Sequence, residues 1–78
     1  MRISKADSKV LTGIGTEIRR RRQKLGMSQI TLALAARVHP NVVGRAERGV
    51  YNPTVLILEA IATALGTSMV DLLRGSIK

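Results

Sequence analysis

The stretch SQITLALAARVHPNVVGRAERG, residues 28–49, decides the fold of this 78-residue chain. Its first part carries apolar residues at helical spacing, namely Leu32, Ala33 and Ala36. Ser28 is a residue type that caps the start of a helix, and His39 followed by Pro40 is typical of a second N-cap with a first-turn proline. The stretch therefore predicts two short helices joined by a tight turn at Arg37-Val38.

The segments on either side also have a helical pattern. Apolar residues recur at helical spacing at Leu11, Ile14, Ile18 and Leu25, and again at Val55, Leu58, Ile61, Ala62 and Leu65. We predict a first helix over about residues 8–24 that Gly26 terminates, because glycine favours the left-handed position after a helix. A fourth helix is predicted after Pro53, and a fifth after a capping residue at Ser68.

The helical segments together define the fold class. No stretch alternates apolar and polar residues at the period of a strand. We therefore predict an all-α domain of five helices over residues 9–75. Residues 1–8 are expected to form a flexible N-terminal segment and residues 76–78 a C-terminal tail.

The composition restricts the kind of partner. Thirteen Lys and Arg against five Asp and Glu give a net charge of +8, which favours a polyanion. With a single aromatic residue, Tyr51, the chain lacks the side chains on which proteins usually stack single-stranded bases, so double-stranded DNA is the expected partner. The lack of cysteine, of a signal peptide and of a long apolar run predicts a cytoplasmic protein that binds no membrane.

Catalytic residue types are scarce in this sequence. His39 is the only histidine, and no nucleophile has an evident base. The carboxylates are scattered along the chain, at Asp7, Glu17, Glu47, Glu59 and Asp71. We therefore predict no enzymatic activity, no catalytic residue, no metal site, no cofactor and no small-molecule ligand.

One charged residue lies on the apolar stripe of the first helix. Arg22 follows Ile18 by four residues and precedes Leu25 by three. An unpaired buried charge is very costly, so Arg22 needs a partner. Glu47, at the end of the third helix, is the best candidate. The sequence predicts a structural Arg22–Glu47 ion pair between the first and third helices.

The third helix presents Asn41, Gly44 and Arg45 on its polar side. Asn can pair with adenine and Arg with guanine through two hydrogen bonds in the major groove. Asn41 and Arg45, one helical turn apart, are therefore candidates for base contacts. The alternative is that Asn41 assists the helix cap and that Arg45 is a solvated charge.

Residues around the two helices are candidates for phosphate contacts. Gln29 lies at the positive N-terminal end of the second helix, which suits an anion. His39, at the start of the third helix, is a cap or a phosphate contact. Arg48, Tyr51 and Asn52 follow the third helix in a loop that can reach the same DNA backbone.

The spacing of these residues resembles the XRE family of phage Cro- and repressor-type helix-turn-helix regulators. The resemblance covers about residues 14–73. It is carried by Arg22-x-x-x-Gly26-Met27-Ser28-Gln29, Leu32-Ala33, Val38, Val43, Glu47-Arg48-Gly49, Pro53 and Ile61-Ala62-x-x-Leu65. The small size and the start of the first helix also look like the controller proteins of restriction-modification systems.

The resemblance implies a five-helix, phage-repressor-like fold and a sequence-specific transcriptional regulator. It implies base contacts from positions 40, 41 and 45, and contacts to the DNA backbone from Gln29 and from the loop at residues 48–52. It also implies a buried Arg22–Glu47 pair. The sequence departs from the family at three positions. Arg37 stands where a glycine is preferred in the turn, Gly44 lies within a helix, and Pro40 can offer a base only an apolar contact.

Two groups of apolar residues point to association. Apolar residues near the C-terminus predict a homodimer interface, formed by Ile57, Met69, Val70, Leu73 and Ile77. A dimer would bind a near-palindromic operator. The alternative is a C-terminal helix that folds back to cover this surface.

A second apolar pair, Ile30 and Leu34, lies where the second helix is normally polar. It either packs against the segment around Ile3 or binds a partner protein, which keeps open the alternative of an antitoxin-type adaptor. A third possibility is a non-specific binder of nucleic acids or anionic membranes through Arg19–Arg22.

Overall fold

Five helices and no strand form the described part of the chain, residues 9–77, in a computed structural model. The helices are α1 (Lys9–Lys24), α2 (Gln29–Ala36), α3 (Pro40–Glu47), α4 (Val55–Ala64) and α5 (Met69–Ser76). The all-α, five-helix prediction is confirmed. The predicted flexible segment 1–8 and the end of the predicted tail, Lys78, lie outside the described residues.

The core is aliphatic and joins all five helices. Its largest fully buried side chains are Ile18, Leu32, Val43, Ile61 and Leu72, one from each helix. α1 packs against α3 and α5, α2 packs against α3 and α4, and α4 packs against α5. Because α5 lies on α1, the C-terminal helix does fold back onto the domain. It leaves Val70 and Ile77 exposed.

Side-chain caps start four of the helices. Ser28, Thr54 and Ser68 accept hydrogen bonds from backbone N–H groups in the first turns of α2, α4 and α5. The Nδ1 atom of His39 accepts one from the Asn41 N–H at the start of α3, at 3.0 Å. Each cap satisfies a backbone donor that the helix leaves unpaired.

Left-handed residues end four helices, and one of the four is not glycine. Gly26, Gly49 and Gly66 have φ between 70° and 75°, whereas Arg37 at the end of α2 has φ 58°. The N–H of Val38 donates to the Ala33 carbonyl at 3.0 Å and closes this turn as a glycine would close it. Arg37 therefore adopts the left-handed conformation for which the family prefers a glycine, and this conformation strains a residue with a side chain.

Three apolar residues that the helical pattern placed inward are exposed. Leu25 follows the end of α1 and lies in the connection, so helical spacing no longer determines its direction. Val55 and Leu56 are also exposed, because the buried side of α4 is the one that carries Leu58, Ile61 and Ala62.

A buried carboxylate on α1, Glu17, pairs with two of the four consecutive arginines at residues 19–22. Glu17 accepts hydrogen bonds from Arg20 Nη2 and Arg21 Nε, each at 2.6 Å. The hydrogen bond from Arg20, with a smaller contribution from Arg21, lowers the pKa of Glu17 from 4.5 to about 2 against the opposing effect of burial. Since the folded-state pKa is the lower one, this carboxylate stabilises the fold above pH 4.5, and its contribution is lost as the pH falls towards 2.

Within residues 9–77, no single helix is long and apolar enough to cross a membrane. α4 and α5 meet the length and composition required only when taken together, across a 94° bend.

Candidate nucleic-acid interface

An ion pair fixes α3 to α1. Arg22 Nε donates to Glu47 Oε2 at 2.6 Å, and Arg22 Nη2 donates to Glu47 Oε1 at 2.9 Å, so the two groups meet side by side. The side chains are only 11% and 3% exposed. The hydrogen bond to Glu47 raises the pKa of Arg22 above its ordinary value. The third guanidinium nitrogen of Arg22, Nη1, donates to the Met27 carbonyl at 2.9 Å and links the α1–α2 connection to the ion pair.

Gln29 extends this ion pair towards the surface. Its Nε2 atom donates to Glu47 Oε1 at 3.0 Å, a hydrogen bond that the sequence did not predict. The Gln29 side chain is exposed at the first residue of α2. Its amide nitrogen is held by Glu47, and its amide oxygen lies over Gly44. The hydrogen bond to Glu47 restricts the orientation of the Gln29 amide at the N-terminus of α2.

The backbones of α1 and α3 are in direct contact beside the pair. A Cβ atom placed on Gly15 would overlap the carbonyl oxygens of Ala46 and Glu47. Only glycine permits this approach. The inner side of α3 is further held by Val43 and Ala46, which are buried in the core.

The outer side of α3 borders a surface groove of about 410 Å³. One wall is the start of α2 with Gln29 and Ile30, and the other is α3 with its C-cap, from which Pro40, Asn41, Gly44, Arg45 and Arg48 line the groove. The candidate base contacts Pro40, Asn41 and Arg45 are thus brought together on one exposed surface.

Gly44 lines the groove on the α3 side. It is buried although it faces the polar side, because Gln29 and Arg48 cover it. A Cβ there would meet Arg48 Nη1 and Gln29 Oε1 at 3.5 Å each, which is an ordinary contact. Glycine is therefore not required for packing at this position.

Arg45 is supported by an aromatic ring. Its guanidinium carbon lies 5.7 Å from the centre of the Tyr51 ring, within the range of a cation–π interaction. Tyr51, a candidate phosphate contact, is half-buried and packs against the core. Sequence reasoning missed this pair because the loop after α3 determines where Tyr51 lies. A lone tyrosine soon after a surface arginine was the available signal.

Of the other candidate residues, Arg48 lines the groove, whereas His39 and Asn52 are not part of its lining. Arg48 is exposed at the C-cap of α3, and Asn52 is exposed in the loop that leads to α4. His39 is exposed, and its Nδ1 atom is used by the cap.

The candidate dimer residues differ from one another in exposure. Ile57, Met69 and Leu73 are partly buried against the core, whereas Val70 and Ile77 are exposed. No group of three His, Cys, Asp or Glu side chains that could hold a metal ion occurs among residues 9–77.

A family model for helix-turn-helix proteins matches residues 18–72, which include both walls of the groove and the ion pair. The chain belongs to this family. It is of the XRE type that its motifs resemble, and it is a DNA-binding transcriptional regulator.

Solved structures of regulators are similar to this chain. The restriction-modification controller protein C.AhdI from Aeromonas hydrophila is 34% identical with a TM-score of 0.77, over 80% of this chain and 94% of that one. The clp gene regulator ClgR from Corynebacterium glutamicum is 29% identical with a TM-score of 0.83, over 87% and 72%. The controller C.Esp1396I is 27% identical with a TM-score of 0.81, over 91% and 97%. No curated protein gave a significant match.

Proposed function

We propose that the protein binds a near-palindromic operator as a homodimer and inserts α3 of each protomer into the major groove. The observation that carries this proposal is the asymmetry of α3. Its inner side is fixed by the Arg22–Glu47 pair, while Asn41 and Arg45 are exposed on its outer side. A rigid helix with an exposed polar side is what groove recognition requires.

Asn41 and Arg45 are the proposed base contacts, with Pro40 beside them. Asn41 pairs with adenine N6 and N7, and Arg45 pairs with guanine O6 and N7. Tyr51 limits the directions that the Arg45 guanidinium adopts. Less conformational freedom is then lost when the base is bound.

Phosphate contacts are proposed on both sides of the groove. Gln29 binds a phosphate at the start of α2, and His39 binds one at the start of α3. At the end of α3 the phosphate contacts come from Arg48, Tyr51 and Asn52. These contacts position the domain without reading sequence. They also make the affinity fall as the salt concentration rises.

The dimer is proposed to form through Ile57, Met69, Val70, Leu73 and Ile77. The exposure of Val70 and Ile77 on α5 supports this surface, since exposed apolar side chains favour association. Two recognition helices about 34 Å apart would fit successive major grooves on one face of B-DNA. The cytoplasm is the compartment in which such a regulator would act, and the similarity to restriction-modification controllers favours a small regulator of this kind.

Selection of bound duplexes from a random pool tests this proposal. We expect two related half-sites, inverted with respect to each other and about one helical turn apart, and two protomers per selected duplex in sedimentation equilibrium. Val70→Arg should reduce the fraction of dimer, whereas Leu34→Arg, on another exposed surface, should leave it unchanged. A pool that shows no enriched sequence would contradict the proposal.

The alternative function is an antitoxin-type adaptor that binds DNA and a partner protein. One observation favours it, namely that Ile30 and Leu34 are 61% and 72% exposed on α2. Their other predicted role, packing against Ile3, lies outside the described residues. Co-purification of a second small protein that is lost in Leu34→Arg would support this alternative.

A further inference from the structure

Ile30 has an exposed apolar side chain in a place where DNA-binding surfaces are polar. It is 61% exposed and lines the same groove as Asn41 and Arg45. Leu34, one helical turn further along α2, is 72% exposed but does not line the groove. The two side chains are similar in chemistry and differ in place, so they need separate explanations.

Pro40 provides the second apolar surface of this groove. It is exposed at the first position of α3, on the wall opposite Ile30. Gly44 adds no side chain between the walls. The groove therefore has two apolar side chains in its lining, Ile30 and Pro40, together with the polar and cationic side chains of Asn41, Arg45 and Arg48.

The charge around these two apolar side chains indicates what they bind. Two arginines in the same lining, Arg45 and Arg48, favour a polyanion over an apolar protein segment. The only apolar group that a base pair exposes in the major groove is the C5-methyl group of thymine. In an A·T pair that methyl group lies on the same groove edge as adenine N6 and N7, the atoms proposed to bind Asn41.

We propose that Ile30 and Pro40 together hold a thymine methyl group, so that Ile30 is a specificity-determining residue contributed by α2. This inference rests on the proposed function, since it requires α3 to lie in the major groove. Pro40, one of the three departures from the family pattern, is then part of the recognition surface. The half-site is then expected to contain a thymine next to the bases bound by Asn41 and Arg45.

Replacement of thymine by deoxyuridine tests the inference, because it removes the methyl group and leaves the base pairing intact. In the operator selected by the wild-type protein, each thymine of a half-site is replaced in turn and the affinity is measured by fluorescence anisotropy. We expect one position to lose about fourfold in affinity per half-site, the factor that corresponds to burial of one methyl group at ~0.8 kcal/mol.

The variants Ile30→Ala and Leu34→Ala form a matched pair for the same titrations. Ile30→Ala should abolish the difference between thymine and deoxyuridine at that position, whereas Leu34→Ala should keep it. A half-site without thymine, no effect of deoxyuridine at any position, or an unchanged effect in Ile30→Ala would each overturn the inference. All three outcomes include a selected operator, so they differ from failure of the proposed function, in which no sequence is selected.

Discussion

The two sides of α3 contrast in how much of their chemistry is satisfied within the domain. On the inner side, Val43 and Ala46 are buried, and Glu47 receives hydrogen bonds from Arg22 and Gln29. On the outer side, Asn41 and Arg45 are exposed at a groove. We therefore expect inner substitutions to change the stability of the domain and outer ones to act mainly on DNA recognition.

The largest effect is expected on the inner side, from Glu47→Gln. This change leaves the Arg22 charge buried without a counter-charge, and breaking a buried pair costs about 3–5 kcal/mol. We expect the free energy of unfolding, measured in urea, to fall by that order.

Glu17→Gln is the matched control, because Glu17 is also buried but pairs with arginines of its own helix that are more exposed than Arg22. It should lose less stability. If Glu47→Gln were as stable as Glu17→Gln, the Arg22–Glu47 pair would not be what fixes α3.

An intermediate effect is expected on the outer side, from Arg45→Ala. Loss of a bidentate base contact should reduce discrimination between the selected operator and a scrambled duplex by about 1–3 kcal/mol. Loss of the cation–π contact with Tyr51 should lower the free energy of unfolding by no more than about 1 kcal/mol. Anisotropy titrations with both duplexes measure the ratio.

Two substitutions at Tyr51 separate its possible roles. Tyr51→Phe keeps the ring under Arg45 and should preserve discrimination, while it lowers affinity for both duplexes equally if the hydroxyl contacts phosphate. Tyr51→Leu removes the ring and should reduce discrimination. Equal discrimination in Tyr51→Leu and the wild type would show that the ring does not orient Arg45.

The smallest effect concerns the turn that connects α2 to α3. Arg37→Gly removes the strain of a left-handed arginine and should stabilise the domain by about 1 kcal/mol. In thermal unfolding this corresponds to a midpoint shift of about 4–8 °C for a domain of this size.

Gly66→Ala is the reverse change at φ 74°, with no neighbouring atom within 4 Å of a Cβ, and it should lose a similar amount. A destabilised Arg37→Gly variant would mean that the arginine side chain makes a contribution larger than the strain.

Local signals in the sequence predicted the ends of the helices and the inner side of α3. Ser28, His39 and Gly26 act within a few residues of the backbone groups that they satisfy, so spacing alone identified them. The partner of Arg22 was found because a charge on an apolar stripe requires one, and Glu47 was the best-placed carboxylate.

Long-range packing determined what the sequence did not predict. Glu17 is buried because Gly75 of α5 lies against it, and no local pattern indicates that contact. The Gln29–Glu47 hydrogen bond and the Arg45–Tyr51 stack likewise join separate elements. Val55 and Leu56 had the apolar pattern of a core, but no element of the described chain covers them.

We propose that the exposed side of α3 reads bases while contributing little to the stability of the domain. The most direct test is Asn41→Ala, measured in parallel by titration of operator and scrambled duplexes and by urea unfolding. The account predicts that discrimination falls by about 1–3 kcal/mol while the unfolding free energy stays within about 0.5 kcal/mol of the wild type. Unchanged discrimination in Asn41→Ala would contradict it.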